Sequence, residues 1–247
     1  HSMFGTHWSP KFALNYNADN KTQVYASWGR VYKAPTADDL YYSQPAWGMD
    51  GNPNLKPESG YTETLGITHQ FDSKTSIQAS IFQSEIHDAI RWVYGAGGSM
   101  PENMNQEKRR GFELSITKTF NKAWSMDAGY SYIRTELDTG SGLKVDPQNA
   151  QPNGYRLGLH YAQGAWKSNL LGTFGSGLNT TYFPTHSYAV IDFNVSYDIN
   201  KLMTVYFKVN NLTNQEYAVY PNGGSASAPV RYPAAGRFFQ LGMTYSF

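Results

Sequence analysis

Cysteine is absent from this sequence of 247 residues, which excludes a disulfide framework and any metal site built on thiolates. No stretch approaches the ~18 consecutive apolar residues of a transmembrane helix, so no membrane-spanning helix is predicted. The formal net charge of +1 gives no electrostatic reason to expect a nucleic-acid partner. The six histidines show no metal-ligand spacing, so neither a protein metal site nor an enzyme is predicted.

The beginning of the chain, HSMFGTHWSP, lacks an initiator Met and the charged and apolar regions of a secretory signal. We therefore expect a mature protein or a fragment whose beginning is missing. Aromatic residues are abundant, at 15% of the chain, although the mean hydropathy is −0.54. Many aromatic rings in a polar background suit surfaces that are half apolar and half wet.

Apolar and polar residues alternate along most of the chain, whereas the period of an amphipathic helix is almost absent. In RRGFELSITKTF, for example, Phe112, Leu114 and Ile116 alternate with small and polar residues. Strands of this kind have one apolar and one polar face. About eleven such strands are predicted by this pattern, starting near Pro10, Thr22, Glu58, Thr75, Gln106, Trp124, Pro152, Trp166, Ser187, Leu202 and Gly236.

The connections between these segments alternate between short and long. The short ones are ADNK, DSK, NKA, QGA and DINK, and the long ones centre on residues 31–57, 95–105, 138–150, 179–186 and 217–235. All tight turns therefore lie at one end of the sheet, which is typical of outer-membrane barrels with periplasmic turns and extracellular loops. Since lipid offers no hydrogen-bond partners, every backbone N–H and C=O in the membrane must pair within the sheet, and the sheet must therefore close. The sequence thus predicts an all-β fold, an antiparallel transmembrane β-barrel.

The strand count is odd, whereas single-chain bacterial barrels have an even number of strands. Eleven strands that follow an extracellular loop and leave the C-terminus in the periplasm are consistent only if further strands precede them. We therefore expect residues 1–247 to be the C-terminal portion of a larger barrel.

Five sequence elements, in this order, resemble those of TonB-dependent outer-membrane receptors. The first is a strand pair followed by a Phe-Arg-Ala-Pro-type box, which here reads Tyr32-Lys33-Ala34-Pro35. GNPNLKPES, RRGFELSITKTF, VNNLTNQEY and YPAAGRFFQLGMTYSF resemble four later elements of the same family. The motif residues in three of these are Asn52, Pro53, Leu55, Lys56, Pro57, Glu58, Asn211, Leu212, Tyr217, Gly236 and Arg237.

The resemblance implies the C-terminal half of a barrel of about 22 strands, a size class whose lumen is plugged. It implies an N-terminal plug domain and a TonB-type energy-coupling protein that acts through a short N-terminal box, neither of which is in this sequence. It also implies contact with the lipid of the outer membrane of a Gram-negative-type bacterium. A terminal signal read by the barrel-assembly machinery would comprise Phe239, Leu241, Met243, Tyr245 and Phe247.

The stretch GNPNLKPES is rich in turn-forming residues directly before an alternating strand. Pro53 and Pro57 fix φ and remove donors where strand pairing has not begun. Asn52 and Asn54 can accept hydrogen bonds from their own backbone and hold the turn. We interpret the box as a loop terminator that makes no ligand contact.

Ligand contacts are expected on the long loops and the upper lumen. Aromatic rings there can stack on a planar siderophore or porphyrin, and cations attract an anionic ferric complex. The alternative is that these aromatic residues form the interfacial girdle found in barrels generally. The candidate ligand-binding residues are Arg30, Lys33, Tyr41, Tyr42, Trp47, Tyr220, Arg231 and Tyr232.

The function implied by the resemblance is active uptake of a small iron-chelate ligand, with iron present only inside that ligand and no protein-bound cofactor. A siderophore is favoured over haem because no His lies between Pro35 and Asn52. A cobalamin receptor, a passive porin-like channel and a surface adhesin are the alternatives. PENMNQEKRR is interpreted as the solvated start of a strand, or as cations that meet anionic headgroups.

Overall fold

The computed structural model describes residues 1–95, 98–148, 152–221, 223–225, 228–230 and 232–247. No helix in these ranges is long and apolar enough to span a membrane. The helical elements are α1 (Ala37–Tyr41) and a 3₁₀ helix (Pro45–Trp47). The strands are β1 (Lys11–Asn17), β2 (Thr22–Lys33), β3 (Ser43–Gln44), β4 (Met49–Asp50), β5 (Glu58–Asp72), β6 (Thr75–Gly95), β7 (Gly98–Thr119), β8 (Trp124–Asp138), β9 (Lys144–Val145), β10 (Asn153–Gln163), β11 (Trp166–Ser176), β12 (Ser187–Asp198), β13 (Met203–Asn210), β14 (Gly223–Ser225), β15 (Ala228–Val230) and β16 (Phe238–Tyr245).

Eleven long strands form one antiparallel meander in which each pairs with the next long strand along the chain. Their order is β1-β2-β5-β6-β7-β8-β10-β11-β12-β13-β16, and within the described ranges β1 and β16 are the open edges. All but one of the predicted starts lie within about two residues of the observed ones, because the alternating pattern marks each strand clearly. The all-β, antiparallel prediction is confirmed.

The predicted long loop at 95–105 is wrong. β6 and β7 run through it for 21 and 22 residues, and their pairing continues to Gly95 opposite Gly98. A strand needs only ~9–11 residues to cross a bilayer. Residues 87–95 and 98–106, here called the hairpin extension, therefore project beyond the span. The extension was not predicted because the polar stretch PENMNQEK lacks the apolar alternation of a half-buried strand.

The short turns all lie at one end of the sheet, as predicted, and four of the five share one chemistry. In each of these four, a carboxylate or amide oxygen accepts a hydrogen bond from the main-chain N–H two residues later. In the turn after β5, this bond from Lys74 N to Asp72 is 2.7 Å long and lowers the pKa of Asp72. The four pairs are Asp19–Lys21, Asp72–Lys74, Asn121–Ala123 and Asn200–Leu202.

One face of the sheet carries the predicted apolar rows, and aromatic rings mark both of its borders. Near the short turns, Trp124 packs against Tyr161 and Trp166 against Tyr197, with ring centroids 4.9 and 4.7 Å apart. Toward the long loops, the Phe12 and Trp28 rings stack. Two aromatic borders around an apolar band are typical of a barrel's lipid-facing surface.

The opposite face is polar, as expected for a wall around a wet lumen. His160 bonds Asp127 at 2.6 Å and Asn169 at 2.6 Å, and Asn169 donates to Asn194 at 2.9 Å. Arg156 lies 3.9 Å from the same Asp127 carboxylate. These contacts span four neighbouring strands, so His160 has a structural role on the inner wall.

The terminal strand β16 and the two residues after it present the predicted alternating residues to solvent. In this open sheet, the side chains of these five apolar and aromatic residues are all exposed. The alternation matches the apolar face of the neighbouring strands, because Val205 lies opposite Met243 and Phe207 opposite Leu241. The exposed set is Phe239, Leu241, Met243, Tyr245 and Phe247.

Candidate functional site

The long connection between β2 and β5, residues 34–57, is a structured loop. Thr36 caps α1 with a reciprocal pair of bonds: its hydroxyl accepts from Asp39 N at 3.1 Å, and the Asp39 carboxylate accepts from Thr36 N at 2.9 Å. The helix buries Leu40 and leaves Tyr41 exposed. The capping box therefore fixes the start of α1, the helix that carries Tyr41.

The first half of the Asn-Pro-x-Leu-Lys-Pro-Glu box ends this loop through backbone contacts. Asn52 Oδ1 accepts from Asn54 N at 3.0 Å, and Asn52 Nδ2 donates to Pro101 O at 3.1 Å. Leu55 is buried. The predicted turn-holding role of Asn52 is thus present in the structure, and Asn52 also ties the loop to the hairpin extension.

The second half of the box docks on Asn103 of the hairpin extension. Asn103 Oδ1 accepts from Lys56 N at 2.8 Å, and its Nδ2 donates to Lys56 O at 3.0 Å and to Asp88 O at 2.7 Å. Asp88 has a φ of 55°, which breaks the regular strand at this point. One amide side chain therefore joins the loop to both strands of the extension.

The tip of the extension meets the loop at two glycines. Ser99 N donates to Gly48 O at 2.7 Å, and Met49 pairs with Ser99 in parallel register. A Cβ atom on Gly98 would lie 2.3 Å from Gly48 O, so only glycine permits this approach. The loop and the extension consequently form one unit at the long-loop end.

Three cations surround this unit on the polar face and are here called the mouth cluster: Lys33, Arg91 and Arg109. Glu58 bonds Lys33 at 3.3 Å, whereas Glu107 bonds Arg109 at 3.3 Å and also contacts Arg91. The two carboxylates are each 14% exposed, but the three cationic side chains are 41–51% exposed. The anions thus lie beneath, and the surface offered to a ligand is cationic.

Arg91 and Arg109 were not among the predicted ligand residues. The signal that could have identified Arg109 is the alternation of side chains along a strand. Position 109 is an odd number of residues from the apolar positions 112, 114 and 116, so its side chain lies on the opposite, polar face. Because EKRR was interpreted as the solvated start of a strand, its residues were not assigned to the two faces. In the structure Arg109 shares a face with Glu107, while Lys108 and Arg110 lie on the opposite face.

The predicted aromatic candidates are placed at the same end of the sheet. Tyr41 and Trp47 are exposed, and Tyr42 packs edge-on against Trp92 with the ring centroids 6.0 Å apart. Tyr220 and Tyr232 are also exposed, on the last long loop. These placements are compatible with ligand contact, which stays a prediction.

Two predicted basic residues are placed differently or not described. Arg30 lies in β2 on the parity of Ala26 and Trp28, which is the apolar face, opposite Tyr61. This placement argues against a role for Arg30 in the lumen. Arg231 lies outside the described residues.

The Asn-Leu-x-x-x-x-Tyr element forms the base of the last long loop. Asn211 is 3% exposed and has a φ of 50°. Its Nδ2 donates to Gln215 O and Ala235 O at 2.9 and 3.1 Å, and its Oδ1 accepts from Gln215 N and Thr213 Oγ1 at 2.9 and 3.1 Å. Asn211 therefore joins the two ends of the loop.

The other motif residues of this region surround that junction. Arg237 N donates to Asn214 Oδ1 at 3.1 Å, and Gly236 precedes it in the segment that leads into β16. Leu212 is exposed, whereas Tyr217 packs against Tyr188 with the ring centroids 4.9 Å apart. The motif thus determines where the loop leaves and rejoins the sheet.

A small apolar core lies behind this loop. It brings together residues of two long loops and the start of β12, and Tyr182 and Tyr217 pack against its edge. Burial in this core raises the pKa of Tyr217. Its members are Leu178, Phe183, Tyr188, Val190 and Ala218. The last two long loops are therefore held together at the mouth of the sheet.

A sequence model of the family described as "TonB dependent receptor-like, beta-barrel" matches residues 1–212. The chain belongs to the TonB-dependent receptor family. Members of this family reside in the outer membrane of Gram-negative bacteria, so the long loops are extracellular and the short turns periplasmic. The relatives described next are transporters and receptors.

Individual relatives differ in what they carry. The vitamin B12 transporter BtuB of Vibrio vulnificus is 26% identical over 249 residues, which cover 100% of this chain and 38% of BtuB. A ferric-pyoverdine receptor of Pseudomonas putida is 26% identical, over 84% of this chain and 25% of that receptor. The siderophore receptor PirA of Pseudomonas aeruginosa superposes with a TM-score of 0.74 at 19% identity, covering 100% of this chain and 41% of PirA.

This TonB-dependent receptor chain thus spans about two fifths of the length of BtuB and PirA and a quarter of that of the ferric-pyoverdine receptor. Its open sheet fits the C-terminal half of their barrel. Within the described ranges, no group of three or more His, Asp or Glu side chains is placed to hold a metal ion.

Proposed function

We propose that this chain is part of the barrel of a receptor that takes up an anionic ferric siderophore. The observation that carries the proposal is the mouth cluster, in which three cations face the extracellular opening above sunken carboxylates. Cations concentrated in a cleft raise the local concentration of an anionic ligand. The exposed Tyr41 and Trp47 in loop 34–57 supply rings that can stack on an aromatic chelator.

The choice of ligand class follows from charge and from the loop composition. Haem iron takes an axial ligand such as His or Tyr, and loop 34–57 contains no His, so ligation of haem by this loop would depend on Tyr41 or Tyr42 alone. The absence of His weakens the case for haem relative to a siderophore. Cobalamin is the second candidate, since a B12 transporter is among the similar proteins. Cobalamin carries no large negative charge, so the mouth cluster would contribute little to its binding.

Energy for uptake is proposed to come from a TonB-type protein that acts on a plug domain outside this chain. The family to which the chain belongs supports this step. Uptake that is saturable and stops when the coupling protein is deleted would agree with the proposal. Uptake that rises linearly with ligand concentration and ignores that deletion would indicate a passive channel.

Charge reversal tests the proposed ligand chemistry. In the full-length receptor, Arg109→Glu is expected to weaken binding of a ferric catecholate roughly tenfold, because a cation near an anionic ligand is worth about 1–2 kcal/mol. The matched control is Arg110→Glu on the adjacent residue, whose side chain is on the outer face. Quenching of tryptophan fluorescence by the ferric catecholate and by cyanocobalamin measures both affinities.

The two ligands separate the candidates. A loss for the catecholate in Arg109→Glu, with Arg110→Glu unchanged, supports a siderophore receptor. Tight cyanocobalamin binding that neither variant alters would replace the proposal with a B12 receptor.

The terminal apolar residues are proposed to be read by the barrel-assembly machinery. Their alternation along the edge strand β16 supports this role. Deleting Phe247 from the full-length receptor is expected to lower its level in the outer membrane, while the detergent-refolded protein keeps its stability. Surface labelling and urea unfolding measure the two effects. A normal surface level of the truncated receptor would contradict the proposal.

A further inference from the structure

A basic patch lies on the outer face of the sheet, on the strands that also carry part of the mouth cluster. Lys108, Arg110 and Arg134 project there together with Glu85 and Glu136, and this set is here called the outer patch. Arg110 lies directly opposite Arg134 across the β7–β8 pair, and Lys108 lies between Glu85 and Glu136. The patch therefore belongs to the lipid-facing parity of Phe112 and not to the lumen.

The charges of the outer patch are layered. Glu136 accepts a hydrogen bond from Arg134 at 2.8 Å and forms an ion pair with Arg110 at 3.1 Å, so one carboxylate contacts two guanidinium groups. That carboxylate is 11% exposed, whereas the arginine side chains are 49% and 40% exposed. Like charges directly opposite one another in a sheet destabilise it. A second anion on the exposed side would relieve this repulsion and use the exposed N–H donors of both guanidinium groups.

The height of the patch places it at the border of the bilayer. Eight residues separate Arg110 from Lys118 near the periplasmic turn, which is ~26 Å along a strand at ~3.3 Å per residue. With a strand tilt of about 40°, this corresponds to roughly 20 Å along the membrane normal, close to the height of a barrel's apolar band. Phe112 and Tyr132 form the row directly below the two arginines. Acyl chains therefore end beside the patch.

We propose that the outer patch binds the phosphate group of an outer-leaflet lipid headgroup. Paired guanidinium groups match phosphate oxygens in geometry and charge, and each can bind in bidentate fashion. The aromatic row below the patch accommodates the first part of the acyl chains of the same lipid molecule. A small soluble anion would use the cations but not this apolar row.

The proposal is tested on the full-length receptor in nanodiscs of neutral phospholipid, supplied with either bis-phosphorylated or fully dephosphorylated lipid A. Native mass spectrometry counts the lipid A molecules retained per receptor. The test variant is Arg110→Gln/Arg134→Gln/Glu136→Gln, which removes both cations without leaving the sunken carboxylate unpaired. The matched control is Arg109→Gln, one residue away and on the opposite face.

Wild-type and Arg109→Gln receptors are expected to retain bis-phosphorylated lipid A, and the triple variant to retain several-fold less. Retention of the dephosphorylated lipid should be low for all three. If the triple variant fails to show heat-modifiable migration, Lys108→Gln replaces it, with a smaller loss expected. Equal retention by the test variant, equal retention of both lipids, or an equal loss in Arg109→Gln would each overturn the proposal.

Discussion

Replacing Gly111 with alanine is expected to lower the free energy of unfolding of the full-length receptor by on the order of 3 kcal/mol, since forced overpacking of this size typically costs 1–3 kcal/mol or more. A Cβ atom at Gly111 would lie 2.0 Å from the main-chain oxygen of Tyr132. That oxygen belongs to the neighbouring strand and cannot rotate away. The β7–β8 pair must therefore separate locally, and buried ladder hydrogen bonds weaken with it.

Gly129→Ala is the matched control for this prediction. Gly129 lies on the partner strand β8, and its added Cβ would approach Leu114 O only to 3.6 Å, an ordinary contact. Urea unfolding of the detergent-refolded receptors, followed by heat-modifiable migration, compares the two variants. If Gly111→Ala unfolds at the same urea concentration as Gly129→Ala, the close strand approach at Gly111 is not required for folding.

The sequence was sufficient to predict the transmembrane part of the fold. Each spanning strand has one face in lipid and one in a wet lumen, so apolar and polar residue types alternate along its sequence. The turns were also predictable, since Asp72 and Asn121 stand where a side chain must accept a main-chain N–H. These features depend on local chemistry alone.

The hairpin extension was not predictable in the same way. Above the membrane both faces of a strand can be polar, so the alternation that identifies strands disappears although the pairing continues. Asp88, with its positive φ, interrupts the regular strand without ending it. The prediction consequently started β7 too late and assigned the charged first part of that strand to a loop.

Contacts between distant loops were also beyond the sequence pattern. Asn103 and Lys56 are far apart in the chain, and nothing in their flanking residues indicates that they bond. The apolar core around Leu178 and Ala218 likewise depends on how two loops meet. By contrast, the predicted role of the Asn-Pro-x-Leu-Lys-Pro-Glu box as a loop terminator agrees with the contacts found, because turn residues act locally.

The stretch EKRR illustrates why parity matters for function. Alternate residues of β7 face opposite solvents, so Arg109 contributes to the mouth cluster and Arg110 to the outer patch. Two neighbouring arginines can thus serve a soluble ligand and a lipid independently. The paired variants at 109 and 110 exploit this arrangement, since each is the control for the other.

Asn211→Ala is expected to have the largest effect, lowering the free energy of unfolding by about 4–5 kcal/mol, given ~1 kcal/mol for each of its side-chain hydrogen bonds and ~1 kcal/mol for left-handed backbone. The side chain makes four such bonds, to Thr213, Gln215 and Ala235, from a site that is 3% exposed. Alanine would remove the side-chain partner of these part-buried groups on Gln215 and Ala235.

Three variants separate the contributions at this position. Asn211→Gly tolerates the φ of 50° and loses only the side-chain bonds, so it should be about 1 kcal/mol more stable than Asn211→Ala. Asn211→Asp keeps the acceptor, but it directs a carboxylate oxygen at the carbonyl oxygens of Gln215 and Ala235, so it should be at least as destabilising as alanine. Asn210→Ala changes the exposed neighbour in β13 and should leave stability unchanged. Should Asn211→Ala unfold in urea within about 1 kcal/mol of Asn210→Ala, the hydrogen bonds at the base of the last loop contribute far less than typical buried bonds do, and the apolar core around Tyr188 must hold that loop instead.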